Sequence, residues 1–424
     1  MHARTLVALG LIAAAHAVHG ADPLPRATPE SVGMSGPRLE RIDARMKAEI
    51  AAQRIPGSVV AIARKGKLVY FKAFGMRDPA TGAPMTTDAI FNIASMTKPM
   101  VAIATLVLLE EDRLLLGEPV GRYLPELGKL AVAKDRVNEP AGENFETVPL
   151  KRPVTVQDLM RHTAGMMYGG RFASTALGRR TPPPIVPFSS AELVQKMAAL
   201  PLAHQPGTVW EYSISYDVLG ALLERVSGKP LGELLREKVF APLRMADTSF
   251  TVPADKANRY ALWLTVDADT RQPQAMTYDA RKPHPIECGG SCGISTAGDY
   301  LRFAQMLLNR GTLEGARILG PKLVDYMTAD HLGPEIENRI TSAEPHRDGY
   351  GYGLGVGVRR SAGVASTVGS AGDWFWNAGS GPSFWVDPKE ELVVVTMFHH
   401  PGSYPLRGQL RQAMAALVYQ AIDR

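Results

Sequence analysis

The sequence predicts an α/β protein of the α+β kind: strands from both ends of the chain join in one antiparallel sheet, and a mainly helical stretch lies between them. Three observations predict this. Residues 57–75, "GSVVAIARKGKLVYFKAFG", are two β-rich runs about Lys65-Gly66, which is a hairpin signal. Residues 383–398, "SFWVDPKEELVVVTMF", repeat the pattern about Asp387-Pro388. The segments between them carry helical spacing, caps and stops instead of period-two alternation. The implied division is an α/β domain from residues 21–90 and 290–424, with a mainly helical domain over 91–289. No internal repeat interrupts this plan.

The elements follow in order. "MHARTLVALGLIAAAHAVHG" has Arg4, an apolar run from Leu6 to Ala14, and small residues at Val18 and Gly20. It reads as a signal peptide over residues 1–20, cleaved to leave Ala21 first; the run is too short to span a bilayer. The mature chain is then expected to be periplasmic or secreted, with no stable membrane insertion after signal cleavage. Residues 37–52 read as an amphipathic helix. Ser95 opens a helix to about Leu109, with Met96, Met100, Ile103 and Val107 at helical spacing. Pro99 is tolerated there because it falls in the first turn. Residues 155–166 form a short capped helix ending before Gly165, and 179–190 a Pro-rich loop. A serine-capped helix covers 189–200. Gly-Lys-Pro stops a helix over 216–230, Gly311 ends one over 297–311, and the last runs over 406–422.

Composition narrows the function. The 47 basic and 42 acidic residues are dispersed, leaving a net charge of +5 and no basic block of the kind that binds nucleic acid. No nucleic-acid partner is expected. Cys288 and Cys292 are too few for a disulfide scaffold, and both a disulfide and two free thiols stay open for them.

The chemistry starts at "FNIASMTKPM", residues 91–100. Lys98 follows Ser95 by three positions, on the same helix face and at the positive end of the helix dipole. An ammonium on an apolar helix is costly unless it is paired or used. A lysine in a desolvated pocket loses its proton more readily, and such a base activates a serine as nucleophile. This is the chain's one Ser-x-x-Lys, a pattern that a capping serine and a snorkelling lysine also produce. In "PGTVWEYSISYDVLG", Tyr212 stands just before a helix, where a phenol can shuttle a proton. "DWFWNAGSGPSFWVDP" offers a Gly-rich backbone before a strand, able to add a second N–H beside that of Ser95 in an oxyanion hole.

A rival motif is "GGSCG", Gly289 to Gly293, which matches a nucleophile elbow at Ser291 with Asp387, His399 and His400 downstream. An elbow needs a strand before it, whereas "ARKPHPIEC" has two prolines and little apolar character. The glycines read instead as letting a loop pass close to the site. His162 reads as a hydrogen-bonded structural histidine. His399 and His400 adjoin a strand end and point to opposite faces. With no H-E-x-x-H and scattered histidines, no metal and no cofactor are expected.

Together the motifs resemble the serine hydrolases related to class C β-lactamases and D-alanyl-D-alanine peptidases, and within them the group VIII carboxylesterases. "IASMTKP", "LMRHTAGM", "PGTVWEYSISYDVLGALLERVSG", "APLRMADTSF", "GISTAGDYLRFAQMLLNRG" and "FWVDPKEELVVV" follow the family's order over Pro29 to Arg424. The resemblance implies a β-lactamase/transpeptidase-like fold: an antiparallel sheet flanked by helices, an all-helical domain, and the active site between them. It implies Ser95 as nucleophile, Lys98 and Tyr212 as the proton-transfer pair, and the N–H groups of Ser95 and Gly379 as the oxyanion hole. Three departures matter. Ile214 replaces the asparagine of the lactamase Tyr-x-Asn, and Trp376-Asn377-Ala378 replaces Lys-Thr-Gly. Ala378 also stands where the esterases more usually have glycine, although Asp217 fits their version of the tyrosine motif.

The expectation is an exported serine hydrolase that cleaves small-molecule carboxylic esters through an acyl-enzyme on Ser95. Trp376, Ile214 and Asn377 are expected to bind substrate, the first two as an apolar wall. Alternatives on the same site are a β-lactamase or D-alanyl-D-alanine carboxypeptidase, an acyltransferase, or a small-amide hydrolase. A non-catalytic binding module on this fold is the alternative from another class.

Overall fold

A computed structural model describes residues 22–135, 145–169, 175–183, 187–267, 271–273, 278–400 and 404–423. The signal-peptide expectation lies outside the described residues. Helix α1 (Arg41–Ala51) is followed by strands β1 (Gly57–Arg64) and β2 (Lys67–Asp78). Lys65 and Gly66 between them take φ of 51° and 71°, the backbone of a type I′ hairpin turn. After β3 (Ala83–Pro84) and β4 (Phe91–Asn92) comes a 3₁₀ turn, Ala94–Met96, that leads into α2 (Thr97–Glu110). Every residue of α2 from Thr97 to Leu108 is buried, so this is the central helix of the core and not an amphipathic surface helix.

The short helix α3 (Val156–Met160) starts at a capping box between Thr155 and Asp158. It ends earlier than its sequence promised because His162 enters the left-handed region at φ 57°. Helix α4 (Ala176–Arg180) occupies the start of the expected Pro-rich loop. Helix α5 (Ser190–Ala198) has the expected Ser189 cap, and α6 (Ser215–Ser227) stops at Gly228 with φ 72°. Strand β5 (Ile294–Ser295) and helix α7 (Ala297–Leu308) then lead to the C-terminal strands. These are β6 (Tyr350–Tyr352), β7 (Gly357–Arg359), β8 (Trp374–Asn377), β9 (Ser383–Asp387) and β10 (Leu392–Phe398), followed by α8 (Tyr404–Tyr419).

The main sheet has eight strands in the order β6-β7-β8-β9-β10-β1-β2-β3. Its centre is the antiparallel β1–β10 pair, in register from Ser58↔Phe398 to Arg64↔Leu392. Strands from both ends of the chain therefore share one sheet. Away from it, β4 pairs with β5 at Phe91↔Ser295. The sheet is covered on both faces. Phe384 meets Tyr300 of α7, and the next residue, Trp385, stacks on Tyr419 of α8. Successive residues of a strand face opposite ways, so α7 lies on one side and α8 on the other.

Candidate active site

Ser95 sits in the 3₁₀ turn at the entry to α2, half-buried. The residue before it, Ala94, is held at φ 37°, unusual for a side-chain-bearing residue. The Asn92 side chain secures it by accepting the Ala94 N–H at 2.7 Å. One turn on, Lys98 is fully buried. Its Nζ donates to Gly290 O at 2.7 Å, to the Tyr168 hydroxyl at 3.2 Å and to Ser95 Oγ at 3.4 Å. Tyr212 lies just before α6 and donates its hydroxyl to Ser95 Oγ at 2.8 Å. The Lys98 ammonium also lies 4.6 Å from the Tyr212 ring centre. Ser95 and Lys98, one helical turn apart, and Tyr212, 117 positions from Ser95, thus meet at one oxygen.

Three further groups hold this centre. Asp217, in the first turn of α6, accepts the Gly290 N–H at 3.0 Å and the Tyr168 hydroxyl at 3.3 Å. Burial raises its carboxyl to about 6, against the opposing pull of the Lys98 charge. Burial, and then the Asp217 charge, push the Tyr168 phenol well above its ordinary value, so it stays a hydroxyl that accepts from Lys98 and donates to Asp217. Gly290 presents both its carbonyl and its N–H to the site. A Cβ there would lie 2.4 Å from Asp217 Oδ2, and one at Gly289 would lie 2.4 Å from Tyr216 O. The two glycines therefore do let a loop pass tightly against the site. Cys288 and Cys292 bracket that loop and are disulfide-bonded, with Cα atoms 5.1 Å apart. Tyr168 and Gly290 were not legible as site residues. "GMMYGG" carries no motif, and Gly290 lay inside the apparent elbow.

Ser291 is not on an elbow. The chain before it is turn and irregular structure, and β5 begins only at Ile294, with no helix directly after the serine. Its Oγ lies 3.5 Å from Cys288 Sγ. Asp387 pairs with Leu392 at one end of the seven-residue β10, while His399 follows the other end. The two are roughly 20 Å apart at strand spacing. His399 is instead buried with its Nε2 3.4 Å from Asn92 O, and burial lowers it to about 4. His400 turns the other way, its Nδ1 3.1 Å from Arg54 O. His162 is buried with its Nδ1 3.1 Å from Ser213 Oγ.

The expected substrate wall needs correction. Ile214 is fully buried and Trp376 is 2% exposed, so neither offers surface to a substrate. Trp376 packs behind Tyr212 at 5.5 Å and against Tyr352 at 5.1 Å between ring centres. Asn377, its neighbour on β8, faces the opposite side of the sheet. There it lines a cavity with Arg411 and Ala415 of α8. It is not positioned to touch a substrate at Ser95. Gly379 lies in the turn between β8 and β9 and not on a strand. It is exposed, and a Cβ built on it would meet nothing within 4 Å. The Ser380 hydroxyl in the same turn donates to Asn92 O at 2.9 Å, which ties the turn to the segment entering Ser95. Among the described residues, neither the Ser95 N–H nor the Gly379 N–H has a protein acceptor.

A family model for Beta-lactamase matches residues 42–419. The chain belongs to the Beta-lactamase family. Protein Rv1367c of Mycobacterium tuberculosis is 34% identical over 355 residues, 82% of this chain and 86% of the relative. Esterase EstB of Burkholderia gladioli is 30% identical over 400 residues, 89% of this chain and 95% of the esterase. Among solved structures, EstCE1, described as a hydrolase with promiscuous acyltransferase activity, superposes with a TM-score of 0.75 at 26% identity. That match covers 90% of this chain and 99% of EstCE1. The chain is thus a β-lactamase-fold hydrolase with esterase and acyltransferase relatives, and its mixed sheet-and-helix architecture is that of the β-lactamase and penicillin-binding-protein folds.

Proposed function

We propose that this Beta-lactamase-family chain hydrolyses carboxylic esters through an acyl-enzyme on Ser95. The observation that carries this reading is the convergence on Ser95 Oγ of the Tyr212 hydroxyl at 2.8 Å and Lys98 Nζ at 3.4 Å. Ser95 Oγ attacks the ester carbonyl carbon while its proton passes to the Lys98–Tyr212 pair, which acts as a base when the Lys98 side chain is a neutral amine. The carbonyl oxygen becomes an oxyanion that accepts from the N–H groups of Ser95 and Gly379, which have no protein acceptor among the described residues. The intermediate expels the alkoxide, which takes the proton from Tyr212 and leaves as the alcohol. Water attacks the acyl-enzyme while the same pair accepts its proton, and the pair returns that proton to Ser95 Oγ as the C–Oγ bond breaks, giving the acid and free Ser95.

Support for esters also comes from EstB, which is an esterase. EstCE1 adds a second use of the same intermediate: an alcohol replacing water in the last step makes a new ester. Export belongs to the proposal. It rests on the N-terminal signal pattern and on a Cys288–Cys292 disulfide suited to an oxidising compartment.

The test is covalent labelling with a fluorophosphonate followed by peptide mass spectrometry. The adduct is expected on the peptide containing Ser95. Ser95→Ala should abolish both labelling and hydrolysis of p-nitrophenyl butyrate, while Ser291→Ala keeps most activity. An adduct on the Cys288–Gly293 segment would overturn the assignment.

A further inference from the structure

Arg411 raises a question that the catalytic reading leaves unanswered. It lies on α8, on the side of the sheet away from Tyr212, with its side chain only 7% exposed. A guanidinium so buried is expensive unless its donors are used. Arg411 Nη2 donates to three carbonyls of one turn: Ala378 O at 2.7 Å, Gly381 O at 3.2 Å and Pro382 O at 3.4 Å. Its Nη1 lies 3.8 Å from the Glu344 carboxylate.

The consequence follows from peptide geometry. In a trans peptide the C=O and the following N–H point in opposite directions, and the chain has no cis peptide among the described residues. With Ala378 O drawn toward α8 by Arg411, and also accepting the Gly381 N–H at 3.2 Å, the Gly379 N–H points away from α8. It points toward the face carrying Trp376 and Tyr212. The other two carbonyls do not act in this way on that N–H. Gly381 O is followed by Pro382, which has no N–H, and Pro382 O is followed by the first residue of β9. Gly379 is exposed and has no Cβ to resist rotation. Without Arg411, the carbonyl of the 378–379 peptide keeps, among the described residues, the 3.2 Å bond from the Gly381 N–H and loses the shorter 2.7 Å one.

We propose that Arg411 is a positioning residue for the reaction: it fixes the 378–379 peptide so that the Gly379 N–H, and not the Ala378 carbonyl, faces the oxyanion. This rests on the reading of Gly379 as an oxyanion donor. Removing one such donor lowers kcat by about 10²- to 10³-fold. A donor left in place but no longer held should lose less, about 10- to 100-fold.

The experiment compares an oxo-ester with the matching thiono-ester, whose C=S develops a large, weakly accepting sulfur anion that an oxyanion hole serves poorly. The wild-type protein should prefer the oxo-ester strongly. In Arg411→Met the oxo-ester kcat should fall about 10- to 100-fold with KM nearly unchanged. The thiono-ester rate should fall much less, so the oxo/thiono ratio narrows. Arg411→Lys, with a single ammonium, should recover part of the ratio, and it serves also where the methionine variant does not fold. General structural damage would lower both rates together. A folded Arg411→Met variant that keeps the wild-type ratio, or, where that variant does not fold, an Arg411→Lys variant that keeps it in full, overturns the proposal while leaving Gly379 in its role. A wild-type protein with no oxo/thiono preference overturns the oxyanion reading itself, and Arg411's role with it.

Discussion

Tyr212→Phe separates chemistry from architecture at this site. The substitution removes one oxygen and leaves a ring of the same shape. That ring lies 5.5 Å from Trp376, 5.5 Å from Tyr168 and 4.7 Å from His162, all between centres, and each contact survives in phenylalanine. The hydroxyl's 2.8 Å bond to Ser95 Oγ is lost. A hydrogen bond of this kind contributes about 1 kcal/mol net to stability. In a chain of this size that is a shift in the unfolding midpoint of only about 2 °C. The kinetic effect is larger if the phenol carries the proton. General acid–base groups contribute about 10²- to 10⁴-fold, which is ~3–5 kcal/mol of barrier. The assay is kcat for p-nitrophenyl butyrate alongside thermal unfolding of the same preparation. The expected result is a loss of at least about 10²-fold with the midpoint nearly unmoved. A folded Tyr212→Phe protein with turnover within about threefold of wild type, well below that range, would refute the shuttle. A loss of activity matched by a large drop in midpoint would make Tyr212 a packing residue.

Two other outcomes are expected. The Asp217 carboxyl, raised to about 6, holds Gly290 and Tyr168 as a carboxylate, so kcat/KM should fall as the pH drops below about 6. The amide of Asp217→Asn cannot titrate there and should lose that limb. The limb is not unfolding: a carboxyl raised on folding favours the folded state at low pH, a contribution that fades as pH rises from about 4 to about 6. A pH profile in Asp217→Asn with an unchanged limb assigns it to another group. Secondly, esters should be preferred over β-lactams. A lactam's carboxylate needs a cationic partner, and the positions that match the lactamase motifs hold Ile214 and Trp376. A poorly paired anion should cost about 10²- to 10³-fold in kcat/KM. Nitrocefin turned over as fast as the best short ester would favour a lactamase.

The sequence made some of this visible and hid the rest, for physical reasons. The hairpin at Lys65-Gly66 was legible because a tight turn needs particular residues at particular positions. Ser95 and Lys98 were legible because their relation is local, one helical turn. Their meeting with Tyr212 came from family resemblance, since no spacing rule joins residues 117 positions apart. Burial was the harder property. Trp376 and Ile214 stand where a substrate contact is expected, yet Trp376 is packed between Tyr212 and Tyr352 and Ile214 is fully buried in the core. The face of β8 decided Asn377, and a strand's faces can be assigned from sequence only once its neighbours are known. Tyr168 and Arg411 make their hydrogen bonds to partners remote in sequence, and such bonds leave no pattern in a chain read alone.

The pairing of β1 with β10 also governs when this protein can become active. Residues 58 and 398 are register partners. The central seam of the sheet therefore cannot form until nearly the whole chain is available. Contacts of such long range form slowly, because a large loop must close before any of them is made. Strand β10 also leads into the segment bearing His399, which meets Asn92 close to Ser95, and α8 carries the arginine over the 378–382 turn. Nascent chains that lack the last few dozen residues can hold Ser95, Lys98 and Tyr212 and still have no finished sheet behind them. Competence then arrives as one late event, and a chain truncated before β10 should be inert although Ser95, Lys98 and Tyr212 are all present.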